Sequence, residues 1–281
     1  MSDLAISQLV IVTDSTGPKV VARSEEFPFA WEEAARTAAV RFGRRPAGVV
    51  CPSAVFAVPV GKAHVAVVQV ADQPGFEGDP PLGFRFLILT RRLYEALGDP
   101  FAIALKYPAD WSKRGTLPAL AWPEERLPKR LIDELQTALK AGDMPLLLGG
   151  TQALIDGGRL LLVTPTPSNE IAEIWRLLPD RTRFELWPAT FAFSNDLGFH
   201  AAALPEAPSP WPEGYLTADQ ARDYPEGRYE LALQIAVEAG NQAEVDRLFA
   251  RRSSKDALRL ALSMLGAAML IAIISKLFLR D

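Results

Sequence analysis

Cysteine occurs once in these 281 residues and histidine twice. A single cysteine, Cys51, cannot close an intramolecular disulfide, so cysteine usage gives no sign of an oxidising compartment. It lies between Val49-Val50 and Pro52 and reads as a small buried hydrophobe rather than a reactive thiol. His64 and His200 are far apart in apolar, strand-like runs, without further ligands at a metal-binding spacing. Organised positive charge is missing too: the net charge is −4. Arg44-Arg45, Arg91-Arg92 and Arg251-Arg252 are isolated pairs rather than stripes. No nucleic-acid partner is therefore expected.

Patterns that carry catalysis are absent as well. Gly149-Gly150-Thr151 and Gly157-Gly158 lack the lysine of a phosphate loop, and they read as the ends of a strand and a helix. No serine sits in a G-x-S-x-G elbow. Glu25-Glu26, Glu32-Glu33 and Glu124-Glu125 are adjacent pairs on expected surfaces, with no apolar setting to tune one of them as an acid. Asn195-Asp196 reads as a turn. The expectation is a protein with no catalytic residues, no cofactor and no metal, hence not an enzyme.

What is present begins at the far end. Leu260 to Ser275 is uncharged, and the run resumes past Lys276 with Leu277-Phe278-Leu279. Twenty residues as a helix cover about 30 Å, a hydrocarbon core. Leu260, Leu265, Leu270, Ile274 and Leu277 spread the apolar surface all round, unlike an amphipathic helix. A single-pass transmembrane helix is predicted over 257–279. Arg251, Arg252, Lys255 and Arg259 precede it and only Lys276 and Arg280 follow, which places the body on the cytoplasmic side of a tail-anchored chain. The first residues, MSDLAISQLVIVTD, lack the basic start of a signal peptide.

The body reads as α+β. Gln8–Thr13 and Lys19–Ala22 make a hairpin about Asp14–Pro18. Trp31, Ala34, Ala35, Ala38 and Phe42 recur at helical spacing. Strands follow at Ala54–Val60, His64–Ala71 and Phe84–Thr90, then one helix from Arg91 towards Leu105. Residues 1–106 thus form a ββαβββα domain, and the aperiodic stretch 107–128 a linker. Residues 129–206 form a small α/β layer domain: a helix at Lys129–Lys140, a short helical stretch at Leu146–Leu148 and a strand at Leu160–Thr164. A helix opening at Thr166 or Ser168 and strands at Phe184–Leu186 and Thr190–Phe193 complete it. A second linker spans 207–227, and residues 228–255 form a helical hairpin with an Asn241/Glu244 capping box. Trp31, Trp111 and Trp175 suit a core or a seam. Trp122 and Trp211, in proline-rich stretches, are the candidate partner-binding aromatics.

The ββαβββα order resembles a longin-type domain. Leu146 to Pro205 resembles the core of a DENN-type module, in its LLLVTP passage, its Leu177-Leu178-Pro179 helix end and its terminal Ala203-Leu204-Pro205. The layout is also similar to the bacterial GTPase-associated protein family. That resemblance implies a GTPase-facing adaptor or regulator acting by surface contact, and it carries over no catalytic residue. The body is shorter than a full DENN module and carries a membrane segment such modules usually lack. The expectation is a membrane-tethered adaptor whose body binds a protein partner, a small GTPase by resemblance, while the C-terminal helix meets lipid. Two alternatives stand beside it: an enzyme with a non-contiguous site, and a structural subunit of a membrane complex.

Overall fold

A computed structural model describes residues 4–14, 16–73, 80–123, 129–167 and 169–250. The first hairpin pairs β1 (Ala5–Asp14) with β2 (Gly17–Ser24), and Asp14 accepts hydrogen bonds from Thr16 N and Lys19 Nζ at the turn. Helix α1 (Phe29–Arg41) turns Ala35, Ala38 and Ala39 inward and gives way to Phe42 and Gly43. Gly43 has φ +107°, and a Cβ there would meet Ser194 N at 2.6 Å, so only glycine fits. Strands β3 (Ala54–Val60), β4 (His64–Asp72) and β5 (Leu82–Thr90) then form an antiparallel meander.

The single helix expected after β5 is two. Helix α2 (Arg91–Leu97) is capped by Thr90 Oγ1 and stopped by Gly98 at φ +64°, and α3 (Pro100–Lys106) restarts on the Asp99 carboxylate. Pro100 has no N–H to give to a continuous helix, and at the first position of a new one none is needed. The stretch 107–128, expected as a linker, carries strands instead: β6 (Gly115–Leu117) runs parallel to β2 and β7 (Leu120–Ala121) pairs with β1.

Beyond it come α4 (Ile132–Ala141), α5 (Met144–Ile155), β8 (Arg159–Val163), α6 (Glu170–Leu177) and α7 (Asp180–Glu185). The order closes with β9 (Pro188–Ala189), β10 (Ala201–Leu204), β11 (Tyr215–Leu216), α8 (Ala218–Arg222), α9 (Arg228–Glu238) and α10 (Gln242–Phe249). Four local expectations change here. Gly149-Gly150 lie inside α5, because a Cβ on Gly149 would fall 2.0 Å from Ala221 O: the glycine lets α8 approach the helix backbone. Phe184 belongs to α7 rather than to a strand, and Pro188 is in β9 rather than between strands. At α10 the Asn241 side chain accepts from Glu244 N, while Glu244 turns its carboxylate to Arg247. The full reciprocal box is at α8, between Thr217 and Gln220.

The architecture is mixed α+β, and one sheet runs through both halves in the order β11-β8-β10-β9-β3-β4-β5-β1-β2-β6. The β11-β8-β10-β9 portion is parallel, and the Phe56↔Ala189 pair joins it antiparallel to the meander. Alternate side chains go to opposite faces. Leu9, Phe56, Val68, Phe84 and Phe86 pack with α1 in a core that extends to Trp175 and Phe249. Ile6, Ala57, Val67 and Leu87 pack with Leu93, Tyr94 and Ile103 of α2 and α3. Phe42 sits at the centre of an aromatic cluster, its ring centroid 5.6 Å from Phe56, 5.3 Å from Phe84 and 5.3 Å from Phe193.

Among the described residues no helix is long and apolar enough to cross a membrane. The segment 257–279, with Leu260, Leu265, Leu270, Ile274 and Leu277, and the last five residues of the expected hairpin, 251–255, lie outside the described residues.

Candidate functional site

On the α2/α3 face of the sheet the apolar alternation is interrupted by a polar stripe across three strands. Arg85 of β5 lies directly opposite Gln69 of β4, and Gln8 of β1 sits diagonally from it. Arg85 Nη1 donates to Gln69 Oε1 at 3.1 Å, and Nη2 to Gln8 Oε1 at 2.6 Å. The same Nη1 reaches the carbonyls of Tyr107 at 2.5 Å and Pro108 at 2.8 Å, just past the end of α3. Gln69 Nε2 takes the Ala104 carbonyl within that helix at 2.8 Å. The last carbonyls of a helix have no partner of their own, so the stripe satisfies them and pins the chain that follows. Burial pulls the Arg85 guanidinium below its ordinary pKa, with Asp110 acting in the opposite sense.

Beside that anchor lies a groove of about 320 Å³, between the start of β3, the end of β4, α3 and the pinned segment. Pro52, Val55, Phe101, Leu105 and Trp111 make it apolar, and Ser53 and Gln69 are its polar side chains. No lining side chain titrates. Leu105 stands 82% exposed at its edge. Such a surface can accept an apolar side chain, and it holds no group to move a proton. A second groove of about 260 Å³ lies between α1 and the opposite sheet face, lined by Ala34, Val58, Val60, Phe86 and Leu197, with Arg41 among its walls.

The aromatics expected to meet a partner are elsewhere. Trp122 is 4% exposed, edge-on to Tyr107 at 5.8 Å and covered by the Lys106 ammonium at 4.9 Å, so it is a core residue and not an exposed anchor. Trp211 is half-buried against the main core and donates through Nε1 to Tyr215 O at 2.7 Å. The groove uses Trp111 instead. Cys51 is buried, and burial pushes its thiol up to about 12. His64 lies against the Trp31 ring at 4.5 Å, with burial lowering its pKa, and His200 Nδ1 accepts from Trp187 N at 3.1 Å. Among the described residues no group of three or more His, Cys, Asp or Glu is placed to hold a metal. Gly149-Gly150-Thr151 is enclosed in α5, where Thr151 Oγ1 donates to Leu147 O at 2.7 Å. Glu32, expected at a surface, is 8% exposed and bridges Arg23 and Arg36 at 2.8 Å each.

A buried charged cluster escaped sequence reading. Arg183 of α7 pairs with Asp99 at 2.5 Å beneath α2, where the Tyr94 hydroxyl and Arg183 Nε have no hydrogen-bond partner among the described residues. Arg130 donates to Leu178 O at 2.7 Å, pairs with Asp180 and covers the Phe249 ring at 3.4 Å. Burial, then Arg183, pulls its guanidinium down to about 10. None of these side chains lines either groove. The only hint in the sequence was Gly98-Asp99-Pro100, a helix boundary.

The chain matches no protein-family model, no curated protein and no solved structure.

Proposed function

We propose that this chain is a non-catalytic adaptor or regulator, tethered to a membrane by its 257–279 segment with the body on the cytoplasmic side. Its body binds a protein partner, a small GTPase being the class that the longin/DENN-like resemblance implies. The observation that carries the reading is the groove beside α3: apolar, free of titratable side chains, and edged by an exposed Leu105. The element order from β1 to α3, with helices on both sheet faces, supports the longin-like part of the resemblance. The parallel β8–β10 pair, ending at Leu204 with Pro205 next, supports the DENN-like part. An enzyme would be favoured by acids and bases converging in an open pocket. The charged cluster around Arg183 is closed over, its arginine 4% exposed.

The test is affinity capture from gently solubilised membranes, with the full chain and its Leu105→Glu variant as baits. Leu105 is exposed enough that the substitution leaves the fold intact. A GTPase recovered by the full chain and lost with the variant is the expected result. Recovery of membrane proteins alone would sink the adaptor reading, and equal recovery with both baits would place recognition away from this groove.

A further inference from the structure

The outward face of α9 carries apolar side chains that stand exposed among the described residues. Arg228, Leu231, Ile235 and Glu238 succeed one another at three- and four-residue intervals, so they share one side of the helix, and all four are exposed. Tyr229, Leu233, Ala236 and Val237 take the buried side. Leu231 is 48% exposed and Ile235 is 57% exposed. A lone surface leucine needs no explanation; a pair one turn apart gains weight from where it stands.

That place is the end of the helical hairpin from which the chain departs. After Gly240, at φ +66°, α10 returns and packs against α9. Two bonds to neighbouring carbonyls fix the departing end. The Tyr229 hydroxyl, at the start of α9, donates to Leu177 O at 2.6 Å. Arg130 donates to Leu178 O at 2.7 Å while covering the ring of Phe249, the last residue of α10. The start of α9 and the end of α10 are thereby held side by side. From Ala250 the sequence continues through Arg251, Arg252, Lys255 and Arg259 to the uncharged run opening at Leu260. Ten residues reach at most about 35 Å when extended. A membrane holding that run therefore keeps the Arg228 end of α9 within about that reach of its surface.

We infer that the Arg228–Leu231–Ile235 face of α9 rests on the lipid surface beside the point where the chain enters the bilayer. This rests on the membrane-tether reading and adds an orientation to it. The charges agree with an anionic headgroup layer. Arg228 lies at the exit end with Glu226 two residues before it, the sequence after Ala250 adds four basic residues before Leu260, and Glu238 lies at the far end. Leucine and isoleucine between them suit the boundary of headgroups and acyl chains. The face acts as a foot that limits how the body rotates on its tether, and so fixes which surfaces remain open to a partner.

The test uses the full chain in phosphatidylcholine–phosphatidylglycerol vesicles. Cys51 is buried with its thiol pushed up to about 12, so a thiol-directed fluorophore goes to an introduced cysteine. Leu231→Cys, Ile235→Cys and, as a remote site, Val40→Cys are labelled with an environment-sensitive dye. The expected result is a blue shift and several-fold quenching by nitroxide-bearing lipid at 231 and 235, with little change at 40. Chains that float with the vesicles while both α9 labels stay in water would overturn the foot and leave the tether standing. Chains that fail to float would overturn tether and foot together. Quenching that disappears below one chain per vesicle would mean contact between copies, and would overturn the lipid assignment.

Discussion

Arg85 faces Gln69 across the β4–β5 ladder, and the two side chains together hold three carbonyls at and beyond the end of α3. Among the described residues this arginine forms no salt bridge; its partners are neutral oxygens. Its role is therefore one of geometry, since its planar fork spans acceptors that a lysine could not reach at once.

Replacing Arg85 by Met leaves Gln8, Gln69 and the Tyr107 and Pro108 carbonyls short of a donor. The expected cost is about 3 kcal/mol in urea unfolding, with Arg85→Lys about half as damaging. Hydrogen exchange should quicken over 107–111 more than over α1. An unchanged midpoint for Arg85→Met would mean that the segment is held by its apolar contacts alone.

The paired glycines of α5 separate two meanings of the same residue. Gly149→Ala would set a methyl 2.0 Å from Ala221 O, a backbone atom of a packed helix, and should destabilise by about 2 kcal/mol. Gly150→Ala meets the ends of flexible side chains, Ile174 Cδ1 at 3.1 Å and Leu160 Cδ2 at 3.3 Å. There the strain is offset by the roughly 1 kcal/mol that alanine adds to a helix interior, and the change should be near neutral. Thermal melts of both variants check the contrast, which fails if they fall together.

Glu32 gives a pH signature. Its carboxyl is held below the usual range chiefly by the hydrogen bond from Arg36, with Arg23 assisting. A depressed folded pKa means stability that is present at neutral pH and lost as the pH falls through the folded value. Both arginines are partly solvated, so Glu32→Gln should cost only about 1 kcal/mol at pH 7. The gap between variant and parent should close as the pH falls through and below the usual carboxylate range. A gap that stays constant across this range would show that shape rather than charge is at stake.

The antiparallel half was legible because its signals are local. Runs such as Val65–Val70 and Phe84–Leu89 are mostly apolar, each broken by a single polar residue, and bounded by turns, and the Asp14–Gly17 turn joins strands that pair at once. The second half was less so, because its decisive contacts are remote. Gly149 is inside a helix on account of Ala221, far along the chain, while its own helix propensity argues against that place. Trp122 was read by its proline-rich surroundings, yet Tyr107 and Lys106 cover it. Two further signals lie in the sequence: Gly98-Asp99-Pro100 marks a helix boundary, and a lone arginine interrupts the apolar strand Phe84–Thr90. The groove could not be read, since its walls come from three separate segments.

Strand β9 is two residues long, and the ladder it shares with β3 is the single pair Phe56↔Ala189. So slight a backbone splice cannot by itself make the antiparallel and parallel portions melt together. The Phe42, Phe56, Phe84, Phe193 and Phe199 rings do that, because they interlock across the splice. The expected consequence is that both portions unfold in one transition, checked by coincident near-UV and far-UV melts. Cut after Lys106, the body would yield one piece with three of these five rings and another with two, and neither would keep its shape.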